Sequence, residues 1–235
     1  MNRKPNALSA HMAAEKRRQR TLWGSLITVA LLLVAGLIGY GIYTSQRADT
    51  LRFPKGISAT DNSAISTGTG PVTVDIYADF LCPRCREFEQ ANRTALNGLA
   101  GQNKITLAFH PVSILDYNST TKYSSRAAAA AGCAADQGKF DAYATALYDN
   151  QPEEGGAGLS NGKLIDIGKS LGLGSNFADC IAGRDYRGWA QHVGDVAASR
   201  GVSSTPTIMI NGKLYDGERT PAKLTAAITA AGTAK

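Results

Sequence analysis

The chain has 235 residues, enough for one domain of ordinary size with a tail, and it carries a formal net charge of +6. Six of its 25 Lys and Arg residues but only one of its 19 acidic residues fall within residues 1–20, so the remainder is close to neutral. Because that remainder has no basic patch interleaved with aromatic residues, the composition argues against nucleic-acid binding.

The first segments of the chain predict a membrane anchor. Residues 1–20 are interpreted as a basic cytoplasmic tail and residues 21–45 as an apolar transmembrane helix, since about 20 apolar residues suffice to cross a bilayer. The basic tail should stay in the cytoplasm, which places the rest of the chain outside the cell membrane. A cleaved signal peptide is the alternative, although its apolar region typically has only about 7–15 residues.

The body of the chain is predicted to combine strands with a helical block. Residues 46–70, rich in Ser, Thr and Gly, are expected to form a tether with a short edge segment. Residues 71–115 read as strand, helix and strand, and such a β-α-β unit implies a parallel pair whose second strand stops at Pro111. Helical patterns fill residues 116–200, and residues 201–235 predict a β-hairpin followed by a last helix.

The motif Cys82-Pro83-Arg84-Cys85 lies between the first strand and its helix. Strand, Cys-x-x-Cys and helix together are the context in which two cysteines form a redox dithiol. Cys82 falls at the helix N-terminus, where free backbone N–H groups and the helix dipole favour a thiolate. Pro83 suits the first helical position, and the charge of Arg84 is predicted to lower the pKa of Cys82 further.

Two other interpretations of the motif have less support. A zinc site would need two more ligands at metal spacing, and because the sequence offers none, no metal is expected. A purely structural disulfide between Cys82 and Cys85 would close a very small loop and would constrain little of the unfolded chain. Export to an oxidising compartment predicts a separate disulfide between Cys133 and Cys180, with two buried free thiols as the alternative.

The dipeptide Thr205-Pro206 directly precedes a core-like strand, where a proline cannot donate to the sheet. One interpretation is a cis peptide bond that brings this turn beside the dithiol and leaves a backbone edge free for a substrate peptide. An ordinary trans proline at the start of a strand is the alternative.

Taken together, these features resemble the DsbA-type thioredoxin-fold oxidoreductases, and in particular the membrane-anchored DsbA-like proteins of actinobacteria. The resemblance implies an α/β thioredoxin fold with an inserted helical subdomain, preceded by one N-terminal transmembrane helix. It rests on Asp79-Phe80 before the Cys-Pro-Arg-Cys motif, the run from Tyr123 to Cys133, the pair Asp179-Cys180, and Thr205-Pro206 before the hairpin.

The resemblance also implies roles for individual residues. Cys82 matches the exposed nucleophilic cysteine and Cys85 the buried resolving cysteine. Pro206 matches the cis-proline that faces the disulfide, and Thr205 the preceding residue that contacts substrate. Cys133 and Cys180 match a structural disulfide of the helical insertion.

One position departs from the family pattern. Many relatives carry a buried acid six residues before the first cysteine, which helps to move protons, and Ile76 stands there in this chain. The nearby acids Asp75 and Asp79 are expected by strand parity to point the other way, so a proton-transfer role for Asp79 is left open.

The function that the resemblance implies is that of an extracytoplasmic thiol–disulfide oxidoreductase that introduces disulfides into reduced exported proteins. Its resting form would hold a Cys82–Cys85 disulfide, restored by a VKOR/DsbB-type membrane quinone oxidoreductase. A monomer without a bound cofactor is expected. A disulfide reductase or isomerase, and an anchored binding or chaperone domain without enzymatic activity, are the alternatives.

Overall fold

The computed structural model of the chain describes residues 23–41, 51–57 and 60–233. These residues belong to two units that divide after Gln46. The first unit contains helix α1, Trp23–Gly41, which has 19 residues and a mean hydropathy of 2.0. Its length and its exposed apolar side chains are compatible with a membrane anchor. The predicted cytoplasmic tail, residues 1–20, lies outside the described residues.

The second unit is built on a mixed sheet of five strands with the spatial order β1-β3-β2-β4-β5. Strands β2 and β3 are parallel, and every other neighbouring pair is antiparallel. Most residues of β2 and β3 are buried, as expected for central strands that are covered on both faces. The strands are β1 Ile65–Thr67, β2 Val72–Ala78, β3 Ile105–Pro111, β4 Thr207–Ile210 and β5 Lys213–Leu214.

Strand β3 continues through Pro111, whereas the sequence predicted that this proline would stop it. Pro111 lies opposite Ala78 of β2, and the ladder bond there is donated by the next residue, Val112, to the Ala78 carbonyl at 3.0 Å. On its other side β1 reaches only to the pair Ile65 and Phe109. The missing N–H of the proline therefore removes no hydrogen bond from the sheet.

Among the described residues of the second unit, seven helices follow or flank these strands. Helix α2 directly follows β2, and α8 packs against both α2 and β2. Between β3 and β4 the chain forms a short 3₁₀ helix, Ile114–Asn118, and then the helical insertion. The helices are α2 Pro83–Gly101, α3 Tyr123–Ala135, α4 Phe140–Asp149, α5 Asn161–Ser170, α6 Ser175–Gly183, α7 Arg187–Ser199 and α8 Pro221–Thr233. This arrangement is a thioredoxin fold with an inserted helical subdomain.

Helix α3 forms the centre of the insertion because its small side chains let neighbouring helices approach closely. It packs against α4, α5, α6 and α7, and most of its alanines are buried. A Cβ at Gly132 would lie only 3.0 Å from Cγ of Tyr186, so a larger residue here would require the Tyr186 side chain to shift. The alanine run thus does more than favour a helix, because it sets the spacing of the whole subdomain.

Part of the predicted tether, residues 46–70, is packed on the second unit. Arg52 pairs with Asp185 at 3.1 Å, and the indole N–H of Trp189 donates to the Asn62 carbonyl at 2.9 Å. Ile57 forms an isolated bridge with Ile65. The ordered body therefore begins earlier than the sequence suggested.

A disulfide joins Cys133 of α3 to Cys180 of α6, with a Cα–Cα distance of 6.0 Å. The two residues are separated by 47 positions in the chain. Because a cross-link between such distant positions removes much conformational freedom from the unfolded chain, this disulfide should stabilise the insertion.

We predict that replacing both residues, Cys133→Ala with Cys180→Ala, lowers the free energy of unfolding by about 4 kcal/mol, the loop-entropy value for 47 residues. Urea unfolding of the body, residues 47–235, without reductant measures this loss. The control pair Cys82→Ala with Cys85→Ala removes two sulfurs without opening a long loop, and it should lose much less. Equal losses in the two double variants would contradict a cross-linking role.

Candidate active site

The two cysteines of the Cys-x-x-Cys motif lie where β2 ends and α2 begins. Cys82 is the N-cap residue of α2 and Pro83 occupies its first turn. The backbone N–H groups of Cys85 and Arg86 donate to the Cys82 carbonyl at 3.1 and 3.2 Å. Both motif cysteines are free thiols, so the structure describes the reduced dithiol. Cys82 is 6% exposed and Cys85 is fully buried, so a partner can approach only Cys82.

Several donors around Cys82 stabilise its thiolate and lower the pKa of this thiol from its usual 9.0 to about 6. The largest contribution is a hydrogen bond from the Cys85 thiol, which outweighs the opposing effect of burial. The Thr205 side chain and the backbone N–H groups of Cys85 and Arg84 add to it. The two backbone N–H groups belong to the first turn of α2, at the positive end of the helix dipole.

The contribution of Arg84 differs from the prediction. Its side chain is exposed, and only its backbone N–H is among the groups that lower the pKa of Cys82. The predicted charge effect of the guanidinium is therefore corrected to a hydrogen bond that any residue other than proline could make. Because solvent screens an exposed charge, the guanidinium contributes little.

Cys85 has the opposite environment from Cys82. Burial raises the pKa of the Cys85 thiol. The neighbouring Cys82 thiolate raises it further, because it accepts a hydrogen bond from the protonated Cys85 and because its charge disfavours a second thiolate. The backbone N–H of Asp79 is 3.5 Å from the Cys85 sulfur and opposes this trend only in part. At neutral pH the pair is consequently a thiolate at Cys82 beside a protonated thiol at Cys85.

Asp79 lies inside the protein next to the dithiol, contrary to the expectation from strand parity. Strand β2 ends at Ala78, and the chain then turns so that the Cys82 N–H donates to the Asp79 carbonyl at 3.1 Å. Parity therefore does not apply to Asp79. Asp75, which is inside the strand, does point elsewhere and lies 3.0 Å from Nε2 of His110.

The Asp79 carboxyl group is fully buried and accepts two backbone hydrogen bonds, from Leu81 at 2.9 Å and from Leu115 at 2.8 Å. Burial raises the pKa of this carboxyl from 3.8 to about 6 despite these bonds, and the charge of Cys82 adds to the effect. A buried acid that titrates near neutral pH is suited to exchanging a proton. The structure thus places an acid near the dithiol at position 79, although Ile76 stands where many relatives carry one.

Gln151 is a site residue that the sequence analysis missed. Its side-chain amide donates to the carbonyls of Phe80 at 2.9 Å and of Cys82 at 3.0 Å. It comes from the loop after α4, some seventy residues along the chain, and no local pattern marks it. These two bonds hold the turn that presents Cys82.

The dipeptide Thr205-Pro206 lies against the dithiol, and its peptide bond is cis. The Cys82 sulfur lies 3.5 Å from the Thr205 carbonyl oxygen. The structure therefore brings together Cys82, Cys85, Thr205 and Pro206, which are far apart in sequence. Cys133 and Cys180 stay apart from this group, in the insertion.

A groove of about 590 Å³ opens in front of Cys82. One wall is the 3₁₀ helix, where Tyr117 is 78% exposed, and the opposite wall is the segment that leads into β4. Its lining residues are Pro83, Arg84, Glu87, Ile114, Leu115, Glu154, Ser203, Ser204 and Thr205. Across the described ranges, no group of His, Cys, Asp or Glu side chains could hold a metal ion.

Comparisons with known proteins agree with this geometry. A thioredoxin family model matches residues 63–230. The reduced disulfide bond oxidoreductase DsbG of Mycobacterium tuberculosis is 34% identical, with 74% of this chain and 90% of that chain covered and a TM-score of 0.66. Oxidised DsbA of the same organism is also 34% identical, with 72% and 93% covered and a TM-score of 0.64. MdbA of Actinomyces oris shares the fold at 21% identity, with 78% and 94% covered and a TM-score of 0.63.

Curated relatives match over one part of their length. The serine/threonine-protein kinase PknE of Mycobacterium tuberculosis is 27% identical over 159 residues, which are 63% of this chain and 28% of the kinase. The Na(+)/H(+) antiporter NhaA 3 of Salinispora tropica is 32% identical over 162 residues, or 68% of this chain and 23% of the antiporter. The chain therefore spans only about a quarter of these relatives.

We predict that Thr205→Val raises the pKa of the Cys82 thiol by about one unit, since a hydrogen bond to a charged group is worth about 1.5 kcal/mol. The ultraviolet absorbance of the thiolate, followed against pH, measures this change. Thr205→Ser keeps the hydroxyl and Arg84→Ala removes only the exposed side chain, so both controls should titrate like the wild type. A larger change in Arg84→Ala than in Thr205→Val would restore the charge explanation.

We also predict that Asp79→Asn removes a pH dependence of stability. The folded-state pKa of Asp79 is raised from 3.8 to about 6, so between these pH values the folded chain holds a proton that the unfolded chain has released. The wild type therefore loses ~3 kcal/mol of stability as the pH rises through this window, at 1.36 kcal/mol per unit.

Urea unfolding at about pH 4 and about pH 7, under mild reduction that leaves the Cys133–Cys180 disulfide closed, measures this difference. Asp149→Asn, which neutralises an exposed acid, is the control and should behave like the wild type. If Asp79→Asn loses as much stability as the wild type over this range, another group titrates there.

Proposed function

Because the chain belongs to the thioredoxin family, as a DsbA-like thiol–disulfide oxidoreductase, we propose that it introduces disulfide bonds into exported proteins. The observation that carries this proposal is the unequal environment of the two thiols. Cys82 is stabilised as a thiolate, and Cys85 is buried and kept protonated. A site that stabilises its reduced form in this way gives up its disulfide readily.

The size of this effect depends on pH. A drop in the pKa of Cys82 from 9.0 to about 6 stabilises the thiolate by ~4 kcal/mol when both reference and protein thiols are ionised. At pH 7 only ~1.4 kcal/mol is realised, because an ordinary thiol is then still protonated. For a two-electron couple this makes the site roughly 30 mV more oxidising.

The reaction starts from the Cys82–Cys85 disulfide. A substrate thiolate attacks the Cys82 sulfur, the disulfide breaks and Cys85 leaves, which yields a mixed disulfide. Because the pKa of Cys85 is raised, its sulfur needs a proton. We propose that the buried carboxyl of Asp79, whose backbone N–H lies 3.5 Å from the Cys85 sulfur, supplies it in its protonated form. A second substrate thiolate then displaces Cys82 as its stabilised thiolate. Two electrons have passed from the substrate to the dithiol.

The groove in front of Cys82 is suited to an extended polypeptide. Residues 203–205 lead into β4 and border the groove, so a peptide that lies there can pair with their backbone groups. Apolar side chains of the 3₁₀ helix, Ile114, Leu115 and Tyr117, face the same space. A reduced, unfolded exported protein offers both a free backbone and apolar side chains.

The proposed location is the outer face of the cell membrane. Helix α1 has the length and apolar character of an anchor, and the basic residues before it favour a cytoplasmic N-terminus. Each turnover leaves a reduced dithiol that must be re-oxidised. We infer that a VKOR/DsbB-type membrane quinone oxidoreductase does so, and that the protein acts as a monomer.

The proposal predicts that the oxidised body, residues 47–235, forms disulfides in a reduced, unfolded secretory protein such as ribonuclease A. Free thiols should disappear from the substrate and appear at Cys82 and Cys85, and both changes are followed against time. Cys82→Ser should abolish the transfer because it removes the attacked sulfur, whereas Cys133→Ala with Cys180→Ala should retain it. Scrambled ribonuclease A tests the other direction. Rapid reshuffling of scrambled bonds with little net oxidation would instead identify an isomerase.

A further inference from the structure

A second cavity, of about 240 Å³, lies in the helical insertion. The residues that line it are distinct from those of the groove at Cys82. Cys133 of α3 and Cys180 of α6 both line it, so the disulfide forms part of its wall. The cross-link between these two helices therefore also fixes the shape of the cavity.

Four cationic side chains surround this cavity, namely Lys122, Arg126, Arg184 and Arg187. Within the part of the chain that the structure describes, none of the four has a carboxylate partner within 4.0 Å. The one acid in the lining, Asp185, is engaged by Arg52 at 3.1 Å. Lys122 and Arg184 are exposed, whereas Arg126 and Arg187 are half-buried, and Arg126 also interacts with the charge of Asp116. Because solvent screens exposed charges, an anion in the cavity is attracted mainly at short range, by the side chains that line it.

Arg126 is already held in place. Its Nε donates to the Thr121 carbonyl at 3.0 Å, and its terminal nitrogens donate to Oδ1 of Asn161 at 2.9 Å and to Oγ1 of Thr121 at 2.6 Å. All of these acceptors are neutral, so the guanidinium keeps its full charge. A fixed side chain loses little further freedom when a ligand binds, which lowers the cost of recognition.

We propose that this cavity binds a small multivalent oxyanion, held by hydrogen bonds from Arg184, Arg187 and Lys122 and attracted by the charge of Arg126. A volume of about 240 Å³ lies below the roughly 300–1,000 Å³ typical of pockets for drug-sized ligands, so the ligand is small. Guanidinium groups bind carboxylate and phosphate oxygens in the same forked manner. The ligand is thus either a polycarboxylate or a phosphate compound.

The test is calorimetric titration of the full chain in micelles of a neutral detergent, with citrate as the polycarboxylate and inorganic pyrophosphate as the phosphate compound. Sodium chloride keeps the ionic strength equal throughout. Saturable binding of one anion per chain is expected. Binding of citrate alone identifies carboxylates as the ligand class, and binding of pyrophosphate alone identifies phosphates.

The variant Arg184→Gln with Arg187→Gln should weaken binding about tenfold, which corresponds to ~1.4 kcal/mol. Neither side chain makes a hydrogen bond among the described contacts, so the double variant should still fold. Circular dichroism checks that it does. The matched control, Arg219→Gln with Lys223→Gln, removes two exposed positive charges outside the cavity lining and should bind like the wild type.

Two results would overturn the proposal. One is the absence of saturable heat with either anion up to about 10 mM, where even millimolar affinity would be visible. The other is an equal loss of binding in both double variants, which would indicate attraction to net charge alone. Neither result depends on the dithiol, so the proposed redox function is tested separately.

Discussion

The chemistry of this protein depends on one hydrogen bond, from the buried Cys85 thiol to the Cys82 thiolate. It is the largest of the interactions that lower the pKa of Cys82, and it raises the pKa of Cys85 at the same time. One contact therefore separates the roles of two identical side chains. The bond needs Cys82 at the helix N-terminus and Cys85 one turn further in, which the i, i+3 spacing provides. The neighbouring segments hold the two cysteines in these positions.

The fold supports the dithiol from three directions. After β2 ends, the chain turns and buries Asp79 next to the motif. Gln151, in the loop after α4, donates to the carbonyls of Phe80 and Cys82. The cis Thr205–Pro206 turn packs against the dithiol. These groups come from the two ends of the sheet domain and from the insertion. The insertion thus contributes a residue, Gln151, to the active site.

Local patterns in the sequence predicted most of this structure. The Cys-x-x-Cys spacing and the strand before it have a direct physical meaning and pointed to Cys82 and Cys85. The resemblance to DsbA-type proteins added the fold and the roles of Thr205 and Pro206. The expected orientation of the Asp79 side chain was wrong because parity holds only within a strand, and the strand ends one residue earlier. Gln151 and the backbone origin of the Arg84 effect could not be predicted, because both depend on tertiary contacts between distant segments.

The most direct test of this account is the reduction potential of Cys82–Cys85 in the body, residues 47–235, measured in glutathione buffers. The measurement is repeated with Cys133 and Cys180 both changed to Ala, so that only one dithiol titrates. The account predicts a potential toward that of a strong oxidant, about −120 mV for DsbA, in both proteins. A value near the roughly −270 mV of thioredoxin would contradict it and would make this protein a reductant that needs a supply of electrons.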